Sequence, residues 1–227
     1  MTNHTDVDGN MMQYLSILLG LIEAKDWTTF ENMALRDPAA FQVITDIISN
    51  NPEFNGMTLL HACARYNPPV EIVSHMIMVC PGIVGAQDCI GRTPLHVAAG
   101  TGASPRLIRL LVKACPQSCN VQDEDGRTPL HLACDSSCQL FENDDSDERG
   151  PPSYDAVLAL LKGSLLSATL EDEDEMSALE YAIVSDAPIE VVKLLQKATQ
   201  KQIKNTLNTD NSDFQRTQRT TVGAPTA

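Results

Sequence analysis

Histidine, cysteine and clustered carboxylates are the residues of this 227-residue chain whose types could do chemistry. His131, Cys134 and Cys138 are spaced to align on a helix, and imidazole with thiolate suits zinc. No fourth ligand is evident, and His61 and His96 stand in equivalent surroundings without the full cysteine pattern, so packing is the competing reading. The carboxylates around Ser146 (Asp144, Asp145, Asp147, Glu148) and the run Glu171-Asp172-Glu173-Asp174-Glu175 could attract a divalent cation. They lack the spaced ligands and turn glycine of a calcium loop. They read instead as solvated surface, or as a field that steers a basic partner. Nucleophilic catalysis needs a nucleophile beside a base and its orienter. Within the region that should fold, every histidine except His75 belongs to a recurring phrase, and no glycine loop could cradle a phosphate. The expectation is a chain without catalytic site, cofactor or metal.

The elements that carry these residues are set by a repeat. Gly91-Arg92-Thr93-Pro94-Leu95-His96-Val97-Ala98-Ala99 recurs 35 residues later as Gly126-Arg127-Thr128-Pro129-Leu130-His131-Leu132-Ala133-Cys134. A weaker copy, Gly56-Met57-Thr58-Leu59-Leu60-His61-Ala62-Cys63-Ala64, lies 35 residues earlier. A fixed period in this range marks a solenoid, in which each unit buries its apolar face against its neighbours. The glycine supplies a turn conformation that other residues reach with strain. Thr93 suits an N-cap and Pro94 the first helical position, where a missing N–H costs nothing. Leu95, Ala98 and Ala99 make a small apolar face that lets the next helix approach closely. The histidine is placed to hydrogen-bond to the threonine or the neighbouring turn. Second helices follow at 70–80 and 105–115, and Pro81 and Pro116 stop them.

Thr-Pro-Leu-His followed by two small residues resembles the ankyrin repeat, a turn plus two antiparallel helices in roughly 33 residues. The resemblance covers about residues 54–198, as repeats near 54–88, 89–123, 124–172 and 173–198. The fourth unit has lost the turn glycine (Glu175), the proline and the histidine, and reads as a C-terminal cap. The resemblance implies an all-α solenoid of helix–turn–helix repeats joined by β-turn fingers. It also implies a non-enzymatic interaction module, an adaptor, scaffold or inhibitory subunit, that binds a protein through a concave surface of fingers and first helices. On that surface it implies contacts by Cys89, Ile90, Arg92, Glu124, Asp125, Arg127 and Leu132. Arg92 and Arg127 have two readings: bidentate engagement of a partner, or pairing with Asp88, Asp123 or Glu124 to stabilise the turn. Asn120 matches a turn asparagine that is hydroxylated in some members, in one repeat here.

Around the repeats, residues 1–10 read as a loose polar start, and 11–53 as a helical N-terminal cap or degenerate repeat. An independent helical subdomain is the alternative for that stretch. Helices are expected at 11–24, 27–35 and 41–48. The third repeat carries an acidic insertion, about 136–152, which should be mobile, and deleting residues 139–150 should cost little. From about Thr199 the chain is rich in Gln, Thr, Asn and Lys and reads as a disordered tail. Ser146, amid acidic residues, would add charge if phosphorylated. That supports an alternative reading in which the acidic loop and tail switch binding to a basic partner.

Composition narrows the partner. Net charge is −14 and 43% of residues are hydrophobic. A generic nucleic-acid binder needs a basic face, so the balance argues against one. The longest apolar stretch, Leu15 to Ile22, is too short to span a bilayer. Residues 1–10 hold no Lys or Arg, which argues against a secretory signal. Cys63, Cys80, Cys115 and Cys134 fill repeat positions as small apolar residues, which suits reducing cytosol or nucleus. The chain is expected to be monomeric by itself.

Overall fold

The computed structural model describes residues 4–141 and 150–221, with side chains over 12–49, 51–141 and 150–208. Helix α1 spans His4–Glu23, α2 spans Trp27–Phe30 and runs on as a π turn over Glu31–Leu35, and α3 spans Pro38–Asn50. Asp26 and Asp37 start α2 and α3 as N-caps, accepting from the N–H of Thr29 and Ala39. Four helix pairs follow: α4 (Leu59–Arg65) with α5 (Val70–Val79), and α6 (Pro94–Gly100) with α7 (Pro105–Ala114). Then come α8 (Pro129–Cys134) with α9 (Tyr154–Gly163), and α10 (Ala178–Val184) with α11 (Ile189–Thr221). The described residues hold no strand, only an isolated antiparallel bridge between Glu171 and Ser177. The fold is all-α.

The helices stack in two layers. First helices α4, α6, α8 and α10 pack in succession, and so do second helices α5, α7, α9 and α11. The N-terminal segment covers one end of both layers, α1 packing on α4 and the π turn and α3 on α5. A single apolar cluster runs from Leu15, Phe30 and Phe41 through Leu60, Leu95, Leu111 and Leu130 to Leu160 and Leu195. The small faces work as the periodicity requires: Ala98 and Cys134 are fully buried, which brings successive first helices close.

Three segments differ from the sequence expectation. Helix α1 begins at His4, so polar residues 4–10 are helical, because a helix nucleated by the buried stripe Leu15, Leu18 and Ile22 propagates at one residue per bond. Helix α11 continues past Thr199 to Thr221 for the same reason: after Pro188 there is no glycine or proline before Gly223. The insertion is anchored where it begins. Leu140 lies on the bare backbone of Gly100, where a Cβ would come within 2.3 Å of it. Phe141 takes the Arg65 guanidinium 4.0 Å from its ring centroid, a cation–π contact. Residues 136–141 therefore run back across the ends of α6 and α4, and deleting 139–150, which removes Leu140 and Phe141, is not free. Residues 142–149, with Ser146 and its acidic neighbours, lie outside the described residues, as does the end of the expected tail, 222–227.

Candidate functional site: the fingers and first helices

Three successive fingers are each built around one aspartate. The Oδ1 of Asp88 accepts the N–H of Ile90 (3.1 Å) and of Arg92 (2.8 Å). Asp123 does the same for Asp125 and Arg127, and Asp172 for Asp174 and Met176. The backbone closes each turn, with Asp88 N–H to Arg92 O at 2.9 Å and its counterparts at Asp123 and Asp172 at 3.0 and 3.1 Å. The fingers then bond to one another: Cys89 N–H to Asn55 O, Glu124 N–H to Ile90 O, and Glu173 N–H to Asp125 O. Main chain is thus consumed in a ladder, and the side chains at the tips are left exposed.

The glycine requirement has the same origin. A Cβ on Gly126 (φ 75°) would fall 2.9 Å from the amide N of Glu173, in the next finger. Glu175 occupies the equivalent position of the last finger at φ 59°, where no further finger packs on it. It bears the cost of the left-handed conformation without the clash.

The histidines join finger to helix. Nδ1 of His61, His96 and His131 accepts the backbone N–H of Thr58, Thr93 and Thr128 at 3.1, 3.0 and 2.9 Å. Nε2 donates into the next finger: His61 to Arg92 O at 2.9 Å, His96 to Val121 O and Arg127 O at 3.1 and 3.2 Å, His131 to Leu170 O at 3.1 Å. A carbonyl can only accept and an amide N–H can only donate, so the rings are neutral with the proton on Nε2. Burial lowers all three pKa values, that of His96 to about 3. In the fourth repeat Ser177 and Glu180 preserve the arrangement: Glu180 Oε2 accepts from Ser177 N–H and Oγ–H, each at 2.7 Å. That is a capping box with a carboxylate in place of the imidazole.

These bonds use both nitrogens of His131, leaving no lone pair for zinc. Cys134 is fully buried, and among the described residues no group of three His, Cys, Asp or Glu could hold a metal ion. Burial raises the Cys63 thiol far above the ordinary range and that of Cys119 to about 11, so neither is a ready nucleophile. His75 is half-buried on α5 with Nδ1 3.3 Å from Glu31 Oε1. No described helix is long and apolar enough to cross a membrane.

The expected contact residues divide. Cys89, Glu124 and Asp125 are exposed at the finger tips and Ile90 is half-buried there. Glu173, Asp174 and Glu175 extend the same row as exposed carboxylates. Arg92 is turned inward, 17% exposed, with Nε donating to Asp123 Oδ2 at 3.3 Å. Arg127 lies over the Tyr181 ring at 5.4 Å, between Asp135 (3.7 Å) and Asp172 (3.9 Å). Those charges attract but are too distant to hydrogen-bond, and Arg127 Nε has no acceptor among the described residues. Both arginines therefore pin one finger to the next unit. Leu132 is corrected: it is 0% exposed, buried in the core between the stacked helices. Asn120 ends the 3₁₀ turn Pro116–Asn120, with its side-chain oxygen buried and without a hydrogen-bond partner among the described residues. Two features escaped the sequence reading. The aspartates that build the fingers share the 35-residue period from Asp88 to Asp123, a signal that was available. The Leu140–Phe141 anchor had no periodic signal.

Residues 59–142 match the family model for ankyrin repeats, in three copies. No curated protein matches the chain. Ankyrin repeats generally mediate protein–protein interaction, and the family is typically non-enzymatic. Stacked helix pairs, laddered fingers, threonine–histidine caps and the family match agree that this chain carries ankyrin repeats across residues 59–142.

Proposed function

We propose that the chain is a non-enzymatic adaptor, scaffold or inhibitory subunit that holds a basic protein segment across the tips of its last fingers. One observation carries this reading. Glu124, Asp125, Glu173, Asp174 and Glu175 project from consecutive fingers whose backbones are bonded together, and all five are exposed. A rigid row of like charges loses little ordering entropy on binding and raises the encounter rate of an opposite charge. Cys89 and Ile90 supply the less polar end of the row. The chain acts as a monomer in cytosol or nucleus, where its seven cysteines stay reduced.

The test reverses the tips rather than the arginines, because Arg92 and Arg127 are structural. Affinity capture from lysate compares wild type with Glu124→Lys/Asp125→Lys/Glu173→Lys, both checked for equal melting. A basic partner held by wild type and lost by the variant supports the proposal; retention of the same partners by both removes the tips from it. A second reading, an acidic switch centred on Ser146, is favoured by the Leu140–Phe141 anchor, which starts the insertion beside first helices α6 and α4. Under it, Ser146→Asp changes affinity for a basic partner while the tip variant does not.

A further inference from the structure

The positive charge of this acidic chain is gathered on the layer opposite the first helices. Second helix α7 carries Arg106, Arg109 and Lys113 at i, i+3, i+7, and α9 carries Lys162. Helix α11 continues the series with Lys193, Lys197, Lys201 and Lys204, spaced along one helix stripe. Half of the sixteen Lys and Arg of the chain thus lie on α7, α9 and the first part of α11, against two carboxylates there, Asp155 and Glu190. That stretch is +6 in a chain of −14, so the other residues together carry −20. All eight cations are exposed, and none joins an ion pair or side-chain hydrogen bond among the described residues.

The cations flank two grooves with apolar floors. Between α7 and α9, Arg109, Lys113 and Lys162, with the single carboxylate Asp155, surround Val112, Leu158 and Ala159 in a depression of about 300 Å³. Between α9 and α11, Lys193 and Lys197, with the single carboxylate Glu190, flank Tyr154 and Leu194 in one of about 450 Å³. Structural stability does not call for this segregation. An exposed lysine pair contributes little to folding even when it finds a counter-ion, and here like charges face each other across α9.

We infer that the second-helix layer is a docking surface for an acidic amphipathic segment of a partner protein, carboxylates on the cationic rims and apolar side chains in the two grooves. Charge complementarity selects an acidic partner. The grooves select a segment with apolar anchors, in the manner of a helix laid in a groove. A bilayer or nucleic acid is disfavoured, because a long polyanion must also meet the −20 of the remaining surface, within reach of a Debye length at low salt. This surface is separate from the finger tips, so the two proposals stand or fall independently.

The probe is a short fluorescein-labelled peptide with glutamate and leucine at i, i+3, i+4 spacing, titrated by anisotropy with the full chain at about 50 and about 300 mM sodium chloride. Two variants are compared, Arg109→Glu/Lys113→Glu/Lys162→Glu and Lys193→Glu/Lys197→Glu, so that a folding defect in one leaves the other. Lys25→Glu/Arg36→Glu serves as the exposed control. The expected result is binding weakened at least about tenfold by either reversal and by the higher salt, untouched by the control, and weakened several-fold when the peptide leucines are serines. Equal binding by the reversal variants overturns the inference. So does equal binding of the leucine-free peptide, which would make the contact a counter-ion effect without the grooves. Tighter strip-dependent binding of phosphatidylserine vesicles or single-stranded DNA, or low-salt self-association abolished by the reversals, would replace the protein segment with another occupant and equally refute it.

Discussion

The buried histidines should make this fold lose stability in mild acid, before its carboxylates titrate. Each ring of His61, His96 and His131 is held neutral, its Nδ1 lone pair taken by a threonine N–H. Adding a proton sets two donors against each other in a buried site, and burial lowers each pKa. For His96 the folded value is about 3 against 6.5 for the free side chain. Below pH 6.5 the unfolded chain binds the proton that the folded chain refuses, so stability falls as pH falls, by about 1.4 kcal/mol per unit. The loss continues until the folded value is reached. Between pH 6.5 and about 5, His96 alone should cost about 2 kcal/mol, and His61 and His131 act in the same direction. Most carboxylates titrate below that window. Asp172 sits lower still: burial raises it, but the Tyr181 hydroxyl and the N–H of Met176 and Asp174 more than offset that. The assay is urea unfolding by circular dichroism across that range, wild type against His96→Gln, whose amide can accept from Thr93 and donate to the next finger without titrating. The variant should show a pH-dependent loss smaller by about 2 kcal/mol. An unchanged loss would refute the assignment of a buried, neutral His96.

Gly126→Ala should destabilise by about 1–3 kcal/mol, since its Cβ meets backbone of the next finger at positive φ. Glu175→Gly should instead gain up to about 1 kcal/mol by relieving the same conformation where nothing packs on it. Thermal unfolding of both reads the contrast, and equal effects would discard the inter-finger explanation. Leu95→Ala and Leu132→Ala should each cost about 2–5 kcal/mol by calorimetry, and neither should alter binding beyond what unfolding explains. Arg92→Ala should cost about 1–3 kcal/mol by leaving the buried Asp123 carboxylate without its cation, an effect absent from Glu124→Ala when the two are compared by urea melts.

Much of this architecture was legible because its causes are local and recur. A threonine N-cap, a proline at the first helical turn and a glycine at positive φ act within a few residues, so a 35-residue echo of them reveals the stacking unit directly. Even the degenerate last repeat kept the cap, replacing threonine–histidine with Ser177–Glu180. The candidate site was half legible: finger-tip positions follow from the register, but the direction of an arginine does not. Arg92 and Arg127 are chemically the same choice at the same position, and their inward pairing depends on Asp123 and Asp172 brought in from the next finger, and on Asp135 at the far end of Arg127's own first helix. Leu132 shows the same limit, since burial depends on what the adjacent helices cover. The anchoring of Leu140 on Gly100 and Phe141 on Arg65 joins residues 40 and 76 positions apart, with no period to announce it. The basic layer is likewise a property of assembly. Its lysines and arginines are scattered over a hundred positions of an acidic chain and become one surface only when α7, α9 and α11 stack. Short-range hydrogen bonding and periodic packing are written along the chain, whereas charge pairing, burial and surface fields arise between segments whose proximity no local rule specifies.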